Sequence, residues 1–145
     1  MPETDITPET DITPETDITP ETVIRYAEAP RFGDDGTEIT GYASPTRGSN
    51  AVSAWKVVLH PGAASPVHRL TDTEAFITLR GRGTFVFEAG RTHDLGSGDA
   101  ICVPPDTPFH LANRGDEPFE AICCMAATGK GQIGDGEPFT PPWAA

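Results

Sequence analysis

From residue 23 onward the sequence predicts an all-β domain, a sandwich or barrel of short strands. Three observations predict it. Short runs rich in Val, Ile, Phe, Trp and Thr recur along the chain. Clusters of Gly, Pro and Asp punctuate them about every 8–12 residues. No segment sustains the 3.6-residue periodicity of an amphipathic helix. The chain of 145 residues is long enough for one such domain, read here as 23–145.

Ahead of the domain, Pro2 to Thr7 reads PETDIT, and the hexamer recurs at Pro8 and Pro14 and begins again at Pro20. A proline in every repeat removes a backbone donor and holds the preceding Thr out of helix. With one Ile per repeat, too little apolar surface is available to offset backbone ordering, so residues 1–22 are expected to be a disordered acidic tail. The tail supplies seven acids and no base to a net charge of −12, leaving residues 23–145 at −5. That sign disfavours nucleic acid and anionic membrane surfaces as partners. No run of about 18–20 apolar residues is present to span a bilayer, and the acidic N-terminus lacks a secretory pattern. Cys102, Cys123 and Cys124 are odd in number and include an adjacent pair, a poor disulfide framework; a reducing cytoplasm is the expected setting.

Strands are expected over 38–43, 52–60, 74–80, 83–88, 91–95, 100–103, 109–113 and 119–125. Gly81 and Gly83 flank Arg82 between two apolar runs, which suggests a tight hairpin. Residues 96–99 (GSGD) end one strand and launch the next. Pro104-Pro105 cannot donate to a ladder and is expected to interrupt pairing.

Two motifs lie in this framework. Gly62 is followed by five residues, then His68-Arg69-Leu70, three residues, Glu74, six residues and Gly81. Gly98 is followed by five residues, then Pro104-Pro105-Asp106, two residues, Phe109, three residues and Asn113. These spacings resemble the two motifs of cupins, G-x5-HxH-x3/4-E-x6-G and G-x5-PxG-x2-H-x3-N, with Leu70, Asp106 and Phe109 as departures. The resemblance covers about 62–113, and the flanking strands extend it over about 38–125. A softer likeness, to small bacterial cupins ending in Thr-Pro-Pro-Trp, rests on residues 140–143. The resemblance implies a double-stranded β-helix (jelly-roll) barrel, frequently dimeric, with motif side chains facing a cavity. It does not choose a reaction, because one fold hosts many chemistries.

A metal-binding cupin would place His, His, Glu and His where this chain has His68, Leu70, Glu74 and Phe109. Two donors remain, fewer than the three or four protein ligands a transition metal usually takes, so no cofactor is expected at those four positions. The alternative is a divalent transition metal held by His68, Glu74 and His110, a facial triad. It requires a β-bulge near Pro108, because alternation otherwise turns His110 away when Phe109 faces in. Without metal, His68 and Glu74 are either a catalytic acid–base pair, a polar anchor for a ligand, or a buried pair bonded to each other.

By alternation Leu70, Phe76 and Thr78 share the inward face with Glu74. Together with Trp55, Phe109 and Asn113 they are the expected ligand pocket. His60 and His93 are expected at the surface, and Arg47 is a loop cation within possible reach of an anionic ligand. The leading expectation is a binder of a small organic molecule, read as a metal-independent isomerase, cyclase or lyase. The alternatives are a metal-dependent oxygenase or related metalloenzyme, and a non-enzymatic ligand-binding or sensory module. The outer face of the 74–80 strand is also apolar (Ala75, Ile77, Leu79) and needs a cover, for which a homodimer is expected.

Overall fold

A computed structural model of the chain describes residues 20–145. The hexapeptide repeats lie, up to residue 19, outside the described residues. The rest is all-β, with eleven strands and three short 3-10 turns among the described residues. In chain order the strands are β1 (Arg31–Asp34), β2 (Thr37–Gly41), β3 (Val52–Leu59), β4 (Arg69–Leu70), β5 (Glu74–Arg80), β6 (Gly83–Phe87), β7 (Thr92–Leu95), β8 (Ala100–Val103), β9 (Phe109–Ala112), β10 (Phe119–Ala126) and β11 (Gly131–Gln132).

One sheet runs β1-β2-β3-β10-β5-β8, with every pairing antiparallel. The other contains β7-β6-β9. It is extended by residues 62–70, which bond β9 through Ser65 N to Leu111 O at 2.8 Å and through His68 N to Phe109 O at 2.9 Å. Inward residues alternate along the strands, as in Trp55, Val57 and Leu59 on β3 and Phe119, Ala121, Cys123 and Met125 on β10. Together they fill the space between the sheets, which is the jelly-roll the motifs imply.

A knot of aromatic rings fixes that packing. The Phe109 ring lies 5.9 Å from Phe76, 6.5 Å from Phe85 and 5.8 Å from Phe87, between centroids. Phe85 in turn meets Phe76 at 4.9 Å and Phe119 at 6.4 Å. These separations are in the range where offset and edge-on rings attract.

The expected hairpin at 81–83 is not one. β5 pairs with β10 and β8, whereas β6 pairs with β7 and β9, so Gly81 and Arg82 turn the chain from one sheet to the other. Gly81 has φ +73°, and a Cβ there would lie 2.1 Å from Pro118 O, so both conformation and space demand glycine. At the second motif's glycine position, Asp106 adopts φ +55° and donates its backbone N–H to Leu70 O at 2.8 Å. Asp tolerates this left-handed conformation better than most residues.

Ile77 and Leu79 on the outer face of β5 remain 45% and 46% exposed, beside the outward Ala100 and Cys102 of β8. Neither the second sheet nor a loop of the described residues covers them.

Candidate functional site

Side chains from both sheets line a cavity of about 320 Å³. Its wall includes Trp55 and Val57 from β3, Glu74 and Phe76 from β5, Phe109 and Leu111 from β9, Cys123 from β10, and His68 and Leu70. A pocket of this size is at the lower end of the small-molecule range.

Backbone pairing decides which groups face it. His68 N donates to Phe109 O and Phe109 N donates to His68 O, both at 2.9 Å, so the two residues form a hydrogen-bonded antiparallel pair. Directly opposed residues project to the same face, and the His68 and Phe109 rings lie 4.5 Å apart between centroids. His68 Nδ1 is 2.8 Å from Pro66 O. A carbonyl oxygen only accepts, so Nδ1 carries the proton and Nε2 keeps its lone pair. Burial lowers the His68 pKa below its ordinary 6.5; the bond to Pro66 opposes this, and His110 adds to it. The ring is therefore a neutral imidazole at pH 7.

Glu74 opens β5, paired with Val103 on one side and Met125 on the other. Alternation carries its side chain inward with Phe76, and it is 4% exposed. Its Oε1 has no hydrogen-bond partner. With no opposite charge to hold it ionised, burial raises its pKa from 4.5 to about 8. At pH 7 Glu74 is a carboxylic acid with a proton to donate. Among the described residues no hydrogen bond joins His68 to Glu74, so the expectation of a mutually satisfied pair is corrected: Nδ1 is taken by Pro66 and the carboxyl is left free.

The bulge near Pro108 that the His110 alternative requires is absent as well. β9 pairs with β6 without a register shift, from Phe87↔Phe109 to Thr84↔Ala112. Phe109 and Leu111 therefore face the cavity, and His110 does not line it. The set His68, Glu74 and His110 is not assembled. Among the described residues no three His, Cys, Asp or Glu side chains come together in a way that would hold a metal ion. At the motif positions the donors are one imidazole and one carboxyl, beside the carbon-only side chains of Leu70 and Phe109. That set does not fit the family's usual metal.

Trp55, Leu70, Phe76 and Phe109 line the cavity, as do His68 and Glu74; two residues expected in the pocket do not. Thr78 faces the same way as Glu74 but lies beyond the cavity, fully buried, with an unpartnered Oγ1. Asn113 is spent on a turn: Nδ2 donates to Leu59 O at 2.9 Å and Glu117 O at 2.7 Å, and Oδ1 accepts from Gly115 N at 3.0 Å. Arg47 does not reach the cavity either. Its Nε donates to Tyr42 O and its Nη2 to Trp143 O, both at 2.7 Å. His60 is half-exposed and paired with Glu38, and His93 is exposed.

The C-terminal segment is the part of the wall that motif reading missed. Ile133, Phe139, Pro141 and Trp143 line the cavity, as does Asp34 at the end of β1. Arg47 grips Trp143 O, and Ser53 Oγ donates to Ala144 O at 2.8 Å, which seats the segment on β3. The signal available in the sequence was two aromatic residues in a proline-rich stretch that carries no strand pattern.

Two antiparallel sheets closed around a cavity, with both motifs contributing to its wall, define a double-stranded β-helix barrel. The chain contains a cupin domain: the family model Cupin domain matches residues 55–125. It is 29% identical over 70 residues to an uncharacterized protein of Methanocaldococcus jannaschii, covering 48% of this chain and 55% of that one. It is 28% identical over 81 residues to auxin-binding protein 5 of Zea mays, covering 55% and 54%. The chain thus spans about half the length of these curated relatives. Among solved structures, the polyketide cyclase RemF of Streptomyces resistomycificus matches with a TM-score of 0.66 at 16% identity, over 75% of this chain and 81% of that one. The DMSP lyase of Ruegeria pomeroyi matches at 0.62 and 21%, over 81% and 63%. Salicylate 1,2-dioxygenase of Pseudoaminobacter salicylatoxidans matches at 0.62 and 20%, over 74% and 31%. Identities this low establish the fold and leave the reaction open. No helix of the described residues is long and apolar enough to cross a membrane.

The buried Glu74 carboxyl has a consequence for stability. Below pH 4.5 both native and unfolded chains hold its proton; between 4.5 and about 8 the unfolded chain releases it and the native chain does not. Stability from this group therefore falls as pH rises through that window, by up to about 1.4 kcal/mol per pH unit. Urea denaturation of wild type and Glu74→Gln at pH 5 and 7.5 checks this. The variant is expected to gain on wild type as pH rises; parallel pH profiles would refute the assignment.

Proposed function

We propose that this cupin binds a small organic molecule in its barrel cavity and acts on it by metal-independent proton transfer, as an isomerase, cyclase or lyase would. Glu74 is the acid and His68 the base. The observation that carries this reading is that both reactive atoms lack protein partners: Glu74 Oε1 is buried without a hydrogen bond, and the bond from His68 Nδ1 to Pro66 leaves Nε2 as a free lone pair. Opposite protonation habits in one cavity are what acid–base catalysis needs near neutral pH.

The chemistry common to these reaction types is proton movement beside a carbonyl. Glu74 donates a hydrogen bond to the carbonyl oxygen. His68 Nε2 takes the α-proton, and the C–H electron pair enters an enolate whose oxygen the Glu74 hydrogen bond stabilises. The imidazolium then returns the proton to a different carbon as the double bond shifts. Excluding water makes the carboxyl donor more effective than it would be in solution.

Conversion of 3-cyclohexenone to 2-cyclohexenone, followed by ultraviolet absorption, tests the pair on a minimal substrate. Wild type should accelerate it, and His68→Ala should cost about 100-fold or more. Glu74→Gln keeps an N–H donor but has no acid proton, and should cost about tenfold. Wild-type rates in His68→Ala would sink the base assignment. Ligand binding without any turnover would make the protein a binding module instead.

We also propose a homodimer formed through the outer face of β5 and β8, supported by the half-exposed Ile77 and Leu79. Light scattering at micromolar concentration should give twice the chain mass, and Ile77→Lys should give the chain mass. A monomeric wild type would overturn the dimer.

A further inference from the structure

The charge and polarity of the cavity wall narrow the ligand beyond its size, an inference that rests on the cavity being the substrate site. Two acidic side chains line it, Glu74 in the interior and Asp34, exposed, at the rim. No lysine or arginine of the described residues lines it. The loop cation nearest in prospect, Arg47, spends its guanidinium on Tyr42 O and Trp143 O, and so holds the wall in place instead of facing the cavity. The whole chain carries a charge of −12. An anion entering here would lose its hydration, gain no counter-ion and face two carboxyl groups.

A cation fares little better. It would find Glu74 and the His68 Nε2 lone pair, but the rest of its hydrogen-bonding capacity would face carbon. Glu74 Oε1 is the one buried side-chain atom of the wall, among the described residues, with an unmet hydrogen bond. As the one unmet acid of the wall Glu74 suits one neutral oxygen; the other free group, His68 Nε2, only accepts, and a desolvated ion needs several partners.

Five aromatic side chains share the rest of the wall with aliphatic ones. Trp55 and Phe76 come from one sheet, Phe109 from the other, and Phe139 and Trp143 from the C-terminal segment. Flat rings on several sides favour a flat ring as guest, through offset and edge-on contacts.

We infer that the cavity takes an uncharged, planar aromatic molecule bearing a single carbonyl oxygen, which accepts a hydrogen bond from Glu74, and that it discriminates against the corresponding carboxylate. The aromatic body rests on the Trp55, Phe76 and Phe109 side of the wall, with Phe139 and Trp143 supplied by the segment that Arg47 anchors.

Three probes with the same ring and different charge test this: 2-acetylnaphthalene, 2-naphthoate and 2-naphthylmethylammonium. Their dissociation constants are measured at pH 7 by titration calorimetry on the full chain. The ketone is expected to bind at least tenfold more tightly than either ion. Glu74→Gln, which retains a donor, should stay within about threefold of wild type for the ketone, and Glu74→Leu should lose about tenfold. Equal or tighter binding of naphthoate or of the ammonium overturns the inference, as does failure of the ketone to bind. A ketone affinity unchanged in Glu74→Leu removes Glu74 from recognition and overturns it too. Cyclohexenone turnover involves no aromatic ring, so the two readings fail separately: charge preference without turnover sinks the acid–base pair alone, and turnover with naphthoate preferred sinks this inference alone.

Discussion

The antiparallel pair between His68 and Phe109 is the constraint on which the site depends. Its two reciprocal backbone bonds set which residues of β9 face the cavity, and alternation does the rest. Phe109 is turned in, beside the imidazole; His110 is turned out. A shift of one residue would exchange them and place a second imidazole next to His68. What prevents the shift is the aromatic knot: Phe109 contacts Phe76, Phe85 and Phe87, so moving it would dismantle the core between the sheets. The same side chain that removes a metal donor is thus the centre of the packing.

Substituting carbon for donors changes the electrostatics of what remains. In a metal-binding arrangement a cation would hold the carboxylate ionised. Here Leu70 and Phe109 surround Glu74 with apolar wall, and burial alone acts on it. The result is an acid that stays protonated near neutral pH and an imidazole that stays neutral, each for the same reason: neither charge is stabilised in the cavity. Folding accepts the cost of one unmet hydrogen bond at Glu74, a kind of local deficit that concentrates at functional positions.

Much of this was legible in the sequence, for identifiable reasons. The strand runs 74–80 and 100–103 carry uninterrupted pattern between strong turn signals, and their bounds coincide with β5 and β8. Motif spacing located His68, Glu74 and Phe109, because a fixed interval between strands is what spacing encodes. It failed where two residues do the work of a strand. β4 and β11 are too short for any periodicity, and β1 contains Gly33 at φ +118°. It failed also at the 81–83 turn, where glycine chemistry is the same for a hairpin and for a corner between sheets. Alternation gave Thr78 the correct face but not its distance along the strand, and for Asn113 spacing could not reveal that Leu59, Glu117 and Gly115 use up its amide. Spacing could not place the C-terminal segment in the wall, because Phe139 and Trp143 reach the cavity through tertiary anchoring by Arg47 and Ser53.

The most direct test of the central claim is a cobalt(II) titration of the purified chain, read by its visible absorption. Wild type is expected to take up no stoichiometric cobalt, and Leu70→His combined with Phe109→His to take up one ion per chain. One tightly held cobalt per wild-type chain, lost in His110→Ala, would contradict the pairing of His68 with Phe109 as the determinant of this site.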